Sequence, residues 1–250
     1  MDKNKLLILF KLSGKFFKRY LKEYFLLLLK PLLIGIIGIL SVLLAFIDPI
    51  FGIVSLFISI PCICYSFWRG YLITYSLNLA SYNFIKKNAV LSLENCYKAV
   101  LQDEKRFAMY VLFYALATII GYIPTIIFTV ISVGNTDLAT IINNPFDIIN
   151  TMLPVFIVSV INSLVLLPFL NFSLQAYTFK KDENFIQLFL NCYKKLDLTG
   201  FIIAFIVSGF SFVISAVNIV LYFLTFIFIN LIVYSVNTFW YSSRIQTKEM

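Results

Sequence analysis

The sequence predicts an all-α polytopic integral membrane protein: six transmembrane helices in three hairpins, joined by cytoplasmic amphipathic surface helices, with a candidate parallel internal repeat. Three observations carry this reading. Apolar stretches recur that are longer than a soluble core helix needs, in a chain that is 61% hydrophobic and 13% charged, with a mean hydropathy of +0.92. Lysine and arginine are confined to alternate connections between those stretches. A basic amphipathic segment returns in altered form between two of them.

Taken in order, residues 1–250 read as one membrane domain that opens with an amphipathic lead-in, residues 1–23. Leu6, Phe10, Phe17, Tyr20 and Tyr24 fall near one helical face, and Lys11, Lys15, Lys18, Arg19 and Lys22 lie largely on others. The first span covers 24–47, carries Gly35 and Gly38 about a turn apart, and ends at the turn signal Asp48-Pro49. It is too long for a signal-peptide core and lacks a small-x-small cleavage site, so it is expected to remain in the protein. The second span is placed at 51–81, although its apolar stretch runs on to Ile85. At about 1.5 Å per residue that is roughly 50 Å, against a hydrocarbon core of about 30 Å. It must tilt, break or protrude, and Pro61 and Arg69-Gly70 mark the expected places.

The third span covers 107–133, with Gly121 and Pro124 inside it, and leads to a polar loop at 134–150. The fourth, 152–179, contains Pro168. Spans at 198–216 and 219–240 complete the set; Ala204, Ser208, Ser211 and Ser215 make a small-residue stripe on the fifth that suits close helix contact.

Orientation follows from the basic residues. Of the 20 lysines and arginines, seven precede Tyr24, five lie in the first connector, four in the second and two at the C-terminus. The turns at 47–50, 134–150 and 216–218 contain none. Both termini are therefore expected in the cytoplasm, with the connectors beside the anionic inner-leaflet lipids of a bacterial plasma membrane.

The connectors share a motif, since Asn95-Cys96-Tyr97-Lys98 returns as Asn191-Cys192-Tyr193-Lys194. Ala89, Leu93, Cys96, Tyr97 and Val100 form one helical stripe, and Phe185, Phe189, Cys192, Tyr193 and Leu196 occupy the same offsets. Both are expected to lie in the membrane surface, apolar side down. Leu72-Ile-x-Tyr-Ser-x-Asn78 with Tyr82 likewise matches Leu231-Ile-x-Tyr-Ser-x-Asn237 with Tyr241. Together these suggest three units of one design, each a lead-in, an outgoing helix and a return.

The sequence lacks histidine, so it cannot supply a Ser-His-Asp triad, a histidine zinc site or a histidine proton relay. No carboxylate falls within an expected span, and no glycine-rich nucleotide loop or metal motif is present. Catalytic residues and cofactors are accordingly not assigned, and an enzyme is not expected. Cys62 and Cys64 read as small apolar packing groups rather than a metal or redox pair. Asn162, Asn171 and Asn230 suit hydrogen bonds across helix interfaces, and Lys30 can snorkel to the inner interface.

Arg69 has two placements. Counted from the outer turn it reaches the inner interface among Trp68, Tyr71 and Tyr75; counted back from Tyr82 it lies near the middle of the bilayer. On the first placement it is an interfacial anchor; on the second an anionic group of a lipid or substrate is the expected charge partner, with Asn78 as a polar contact.

Glu94-Asn95-Cys-Tyr-Lys-Ala99-Val, followed by Gln102-Asp-Glu-Lys105 before the third span, resembles in layout the membrane domain of glycerophosphodiester phosphodiesterases and related six-span bacterial families. The catalytic barrel found beside some such domains has no counterpart here, so the resemblance implies a bacterial plasma-membrane protein and no activity. The expected role is non-enzymatic, in membrane organisation, lipid handling or partner assembly, with the bilayer, other copies of the chain or an ATPase as partners. Nucleic acid is not an expected partner, because the basic residues flank apolar spans. The alternative is a transport protein or permease subunit working with a separate ATPase.

Overall fold

The computed structural model describes residues 3–42, 49–86, 91–134, 145–179, 183–194, 197, 198, 200–206 and 236–241. Nearly all of these are helical and none is in a strand. The helices are α1 (Lys3–Val42), α2 (Pro49–Lys86), α3 (Leu93–Gln102), α4 (Glu104–Gly134), α5 (Pro145–Phe179) and α6 (Phe185–Lys194), with further helical residues at 200–206 and 236–241. Four segments are long and apolar enough to cross a membrane: Lys11–Val42, Phe51–Phe84, Glu104–Ser132 and Leu153–Phe179. Most of the expected fifth and sixth spans lies outside the described residues.

The chain forms two compact units, one of Met1–Glu104 with Phe210–Met250 and one of Lys105–Gly209. In the first, α1 and α2 run antiparallel, and each divides into an exposed apolar arm and a buried base. From Phe25 to Val42 most large side chains of α1 are exposed, whereas Ser13, Phe16, Tyr20 and Tyr24 are buried. α2 is largely exposed from Phe51 to Tyr71 and then closes abruptly, with Leu72, Ile73 and Tyr75 to Asn78 all buried. At about 1.5 Å per residue the exposed arm of α2 is roughly 30 Å long, the thickness of a hydrocarbon core. So large an exposed apolar surface is intolerable in water and suits lipid.

The arms approach most closely at Gly38, where a Cβ would lie 2.8 Å from Cys62 Cβ and 3.2 Å from the Ser59 carbonyl oxygen. Cys62 is thus a packing group, as the sequence suggests. Ser66 Oγ, one turn along α2, donates to the Pro31 carbonyl at 2.7 Å.

The bases differ from the sequence expectation. No break separates the lead-in from the first span: α1 is one 40-residue helix, because no glycine or proline falls between Gly14 and Pro31 to stop propagation. α2 passes through Pro61 and Gly70 without ending, so its surplus length protrudes beyond the arm rather than breaking. The lead-in's apolar stripe meets protein. Phe16, Tyr20 and Tyr24 join Ile73, Leu77 and Ala80 of α2, Leu93 and Cys96 of α3, and Phe239 in one buried cluster. Phe16, Phe84 and Phe239 stand mutually edge to face, with centroids 6.0 to 6.2 Å apart, a geometry that adds about 0.5–1.5 kcal/mol per pair to their burial.

The second unit repeats the division. Leu112 to Ile131 of α4 and Leu153 to Val165 of α5 are largely exposed, whereas Phe107, Tyr110, Leu166, Phe169, Phe172 and Tyr177 are buried. Tyr110 stacks on Tyr177 at 4.6 Å and shares a hydrogen bond of 2.9 Å with Ser173. Asn162 donates to Thr125 Oγ1 at 2.8 Å, the cross-helix bond expected of it.

Candidate functional site

The candidate site lies where each short connector helix meets the end of an apolar arm. α3 starts where it does because three groups fix its first turn. Ser92 Oγ accepts from the Asn95 N–H at 3.3 Å, Glu23 Oε2 of α1 accepts from the Leu93 N–H at 2.6 Å, and Tyr20 Oη donates to the Leu91 carbonyl at 2.7 Å. The Glu23 carboxylate also sits favourably against the positive end of the helix dipole. Leu93, Cys96 and Val100 are all buried. The apolar stripe of α3 is therefore covered, and Leu93 and Cys96 sit in the cluster that contains α1 and α2. This corrects the surface-helix expectation for α3: its apolar side meets protein.

α6 follows the same plan. Asn184 Oδ1 caps it by accepting from the Gln187 N–H at 2.8 Å, and Leu188 and Cys192 are buried. Phe185 stacks on Phe113 at 5.3 Å and Phe189 packs on Phe169 at 5.0 Å. Ile186 and Leu190 remain exposed.

The two copies of the motif do equivalent work. Asn95 is exposed and gives its N–H to the Ser92 cap, whereas the Asn191 amide donates to Glu183 Oε2. Cys96 and Cys192 both point inward; burial, reinforced at Cys96 by the Glu23 charge, pushes their thiols up to about 11 and about 12. Cys192 Sγ donates to the Leu188 carbonyl at 3.2 Å. Lys98 and Lys194 are exposed. Lys98 pairs with Glu94 at 2.8 Å and holds that carboxyl below its usual range. The tyrosines reach the preceding long helix: Tyr97 Oη accepts from Arg69 Nη1 at 3.0 Å, and Tyr193 Oη donates to the Val165 carbonyl at 3.0 Å. In both copies the tyrosine and its partner are 28 positions apart.

Arg69 stands at the junction itself. Phe67 and Tyr71 beside it are 67% and 46% exposed, yet Leu72 is fully buried. Its guanidinium carbon lies 5.5 Å above the centre of the Tyr65 ring, a cation–π contact one turn back along α2. Acidic groups nearby engage other partners: Glu104 Oε1 accepts from Trp68 Nε1 at 2.5 Å, and Asp103 Oδ2 accepts from Tyr75 Oη at 3.5 Å.

Asn78 is remote from this junction. Nine residues further along α2, at about 1.5 Å each, it lies roughly 13 Å deeper in the base. There its Oδ1 accepts from Thr238 Oγ1 at 2.7 Å and its Nδ2 donates to the Thr74 carbonyl at 3.1 Å. Asn78 thus ties α2 to residues 236–241, and the structure does not bring it to Arg69.

Some residues escape a reading of the sequence. Tyr65 is missed, although its i, i+4 spacing to Arg69 is a usable signal. So is a third version of the return-helix motif: Phe172-Ser173-Leu174-Gln175 with Phe179 in α5 parallels Tyr75-Ser76-Leu77-Asn78 with Tyr82 in α2 at identical spacing. Gln175 is fully buried, and neither Oε1 nor Nε2 has a hydrogen-bond partner. An apolar groove of about 420 Å³ also borders Tyr193, lined by Ile161, Leu164, Val165, Pro168 and Phe201.

The class these features define is a helical membrane protein with, among the described residues, four segments long and apolar enough to cross a bilayer, whose apolar arms adjoin buried bases. No protein-family model, curated protein or solved structure matches the chain.

Proposed function

We propose that this is a non-enzymatic protein of the bacterial plasma membrane that handles and organises anionic lipids at the inner leaflet. In this reading six spans form three parallel hairpins, both termini are cytoplasmic, and the buried base of each unit lies on the inner side of the membrane. One observation carries it: the arm of α2 is as long as the hydrocarbon core is thick, and the base at its end is closed with protein and faced with cations. Lys11, Lys15, Lys18, Arg19, Lys22 and Lys98 are exposed on that unit. Such a face attracts anionic headgroups, at about 1 kcal/mol per basic residue near the surface. The absence of lysine and arginine from the expected outer turns supports the orientation, and the matching tyrosine contacts of α3 and α6 support the repeat.

Two measurements test this. In a variant free of native cysteines, Cys placed at Asp137 should react with an impermeant thiol reagent on intact cells, and Cys placed at the exposed Lys98 only after permeabilisation. The protein purified in mild detergent should retain anionic lipid in excess of its share of the host membrane. Labelling at position 98 from outside would overturn the orientation; lipid retained in the host's proportions would overturn the lipid-handling role.

A further inference from the structure

We infer that Arg69, with the Tyr97 hydroxyl, is a binding site for the phosphate of an anionic phospholipid, held at the junction between the arm and the base of α2. The inference deepens the lipid-handling reading and rests on it.

Position comes first. Arg69 lies about 18 residues from the start of the arm at Phe51, roughly 27 Å along the helix, which is the depth at which headgroup phosphates replace hydrocarbon. The exposed apolar stripe of the arm, Ile60, Cys64, Phe67 and Tyr71, lies on the opposite face of α2, so Arg69 meets the headgroup layer on the side where α3 packs.

Charge comes second. A guanidinium carries five donors and never loses its proton in a protein. Here its contacts are with phenols, a hydrogen bond to Tyr97 and a contact with Tyr65. Neither neutralises it. Because Tyr97 Oη accepts from Arg69, its own proton is left to donate, so the guanidinium fork and the phenol present convergent donors to one oxyanion.

The second copy supplies the third argument. Val165 of α5 stands 28 positions before Tyr193, as Arg69 stands before Tyr97, and Tyr193 Oη donates to its backbone carbonyl. A tyrosine can therefore fasten the connector to its long helix without an arginine. The positive charge at position 69 is surplus to the fastening, and a cation kept at a membrane interface without a carboxylate calls for an anion. Inorganic phosphate offers the same oxyanion; the depth of Arg69, about one hydrocarbon thickness along the arm, selects the lipid form.

The test uses the full chain in detergent, with unfolding temperature and native mass spectrometry as readouts. The probes are phosphatidylglycerol, phosphatidylcholine and inorganic phosphate. Wild type should be stabilised by phosphatidylglycerol more than by phosphatidylcholine and not by millimolar phosphate. Arg69→Gln should weaken phosphatidylglycerol binding on the order of tenfold or more, and Arg69→Lys, which keeps charge but loses the fork, by less. Tyr97→Phe, which retains the ring, should weaken it by a smaller factor. If Arg69→Gln responds to phosphatidylglycerol as wild type does, this site is wrong while the wider lipid reading stands. If wild type itself shows no preference for the anionic lipid, both fall. Stabilisation by inorganic phosphate equal to that by lipid overturns the lipid assignment. Should Arg69→Gln fail to fold, a wild-type-like lipid response in Arg69→Lys and Tyr97→Phe together overturns the proposal.

Discussion

Replacing Gly38 with alanine adds one methyl group where α1 and α2 approach most closely. The new Cβ would lie 2.8 Å from Cys62 Cβ and 3.2 Å from the Ser59 carbonyl oxygen. Carbon atoms pack best at about 3.5–4.0 Å, so the two helices must part by roughly 1 Å, and a gap of that size forfeits a quarter to a half of each contact it opens. Overpacking of this kind costs about 1–3 kcal/mol. Against it stands the helix propensity of alanine over glycine, about 1 kcal/mol in favour. The net expectation is a loss of about 0–2 kcal/mol for Gly38→Ala, and a larger loss for Gly38→Leu. Gly14→Ala isolates the propensity gain, because Gly14 is exposed and a Cβ there meets nothing within 4 Å. Unfolding midpoints in detergent, read by circular dichroism, should therefore move in opposite directions or differ by at least 1 kcal/mol in that sense. A double-mutant cycle with Cys62→Gly should show coupling of about 0.5–3 kcal/mol, since removing the opposing Cβ relieves the clash. If Gly38→Ala stabilises the protein as much as Gly14→Ala does, the close approach of the arms is not real.

Leu93→Ala should cost about 2–5 kcal/mol, because Leu93 is fully buried in the cluster that docks α3; a loss no greater than that from truncating exposed Glu94 would mean that lipid, not protein, covers this face. Gln175→Met exchanges a buried amide without partners for an apolar chain of similar shape, and should raise stability by about 1–3 kcal/mol in a thermal melt. A loss of stability would show that the amide is satisfied. Cys96 and Cys192 should alkylate far more slowly at pH 8 than in denaturant, because burial holds their thiols protonated, up to about 11 and about 12 against an ordinary 9.0. The linkage has a definite sign: a thiol raised in the folded state leaves stability intact below pH 9 and erodes it as pH climbs through 11 to 12, so alkaline titration of wild type against Cys96→Ala should diverge only above pH 9. Rapid native labelling of either residue at pH 8 would contradict the burial.

What the sequence made legible is what bulk physics dictates. The lengths of the apolar segments, the packing role of Cys62 and the cross-helix bond of Asn162 follow from composition, small size and the cost of an unbonded amide in an apolar setting. The bases were not legible, because a helix with an apolar stripe reads the same whether lipid or another helix covers it. Periodicity reports that the face of Leu93, Cys96 and Val100 is covered and is silent on what covers it. The partner came from afar: Phe16 lies in the lead-in and Phe239 near the other end of the chain. No local pattern announces a cluster assembled across such separations. The third return-helix motif hid for a different reason: phenylalanine stands for tyrosine and glutamine for asparagine, which keeps size and place but changes the letters and, at Gln175, the hydrogen bonding.

Arg69 shows where the ambiguity lay and what resolves it. Counting residues from either end of the apolar stretch of α2 gave two depths, since composition alone does not say how much of that stretch the bilayer covers. Everything up to Tyr71 is largely open and the side chains from Leu72 to Asn78 are mostly buried, so Arg69 stands where an exposed stretch of α2 gives way to a buried one. In the proposed reading the bilayer's share of α2 ends there, and a guanidinium at that depth needs no long snorkelling path to polar surroundings. The same placement puts it in reach of phosphate, and leaves the base, from Asn78 to Thr238, as a separate polar tie that fixes the layer in which the arginine is mounted.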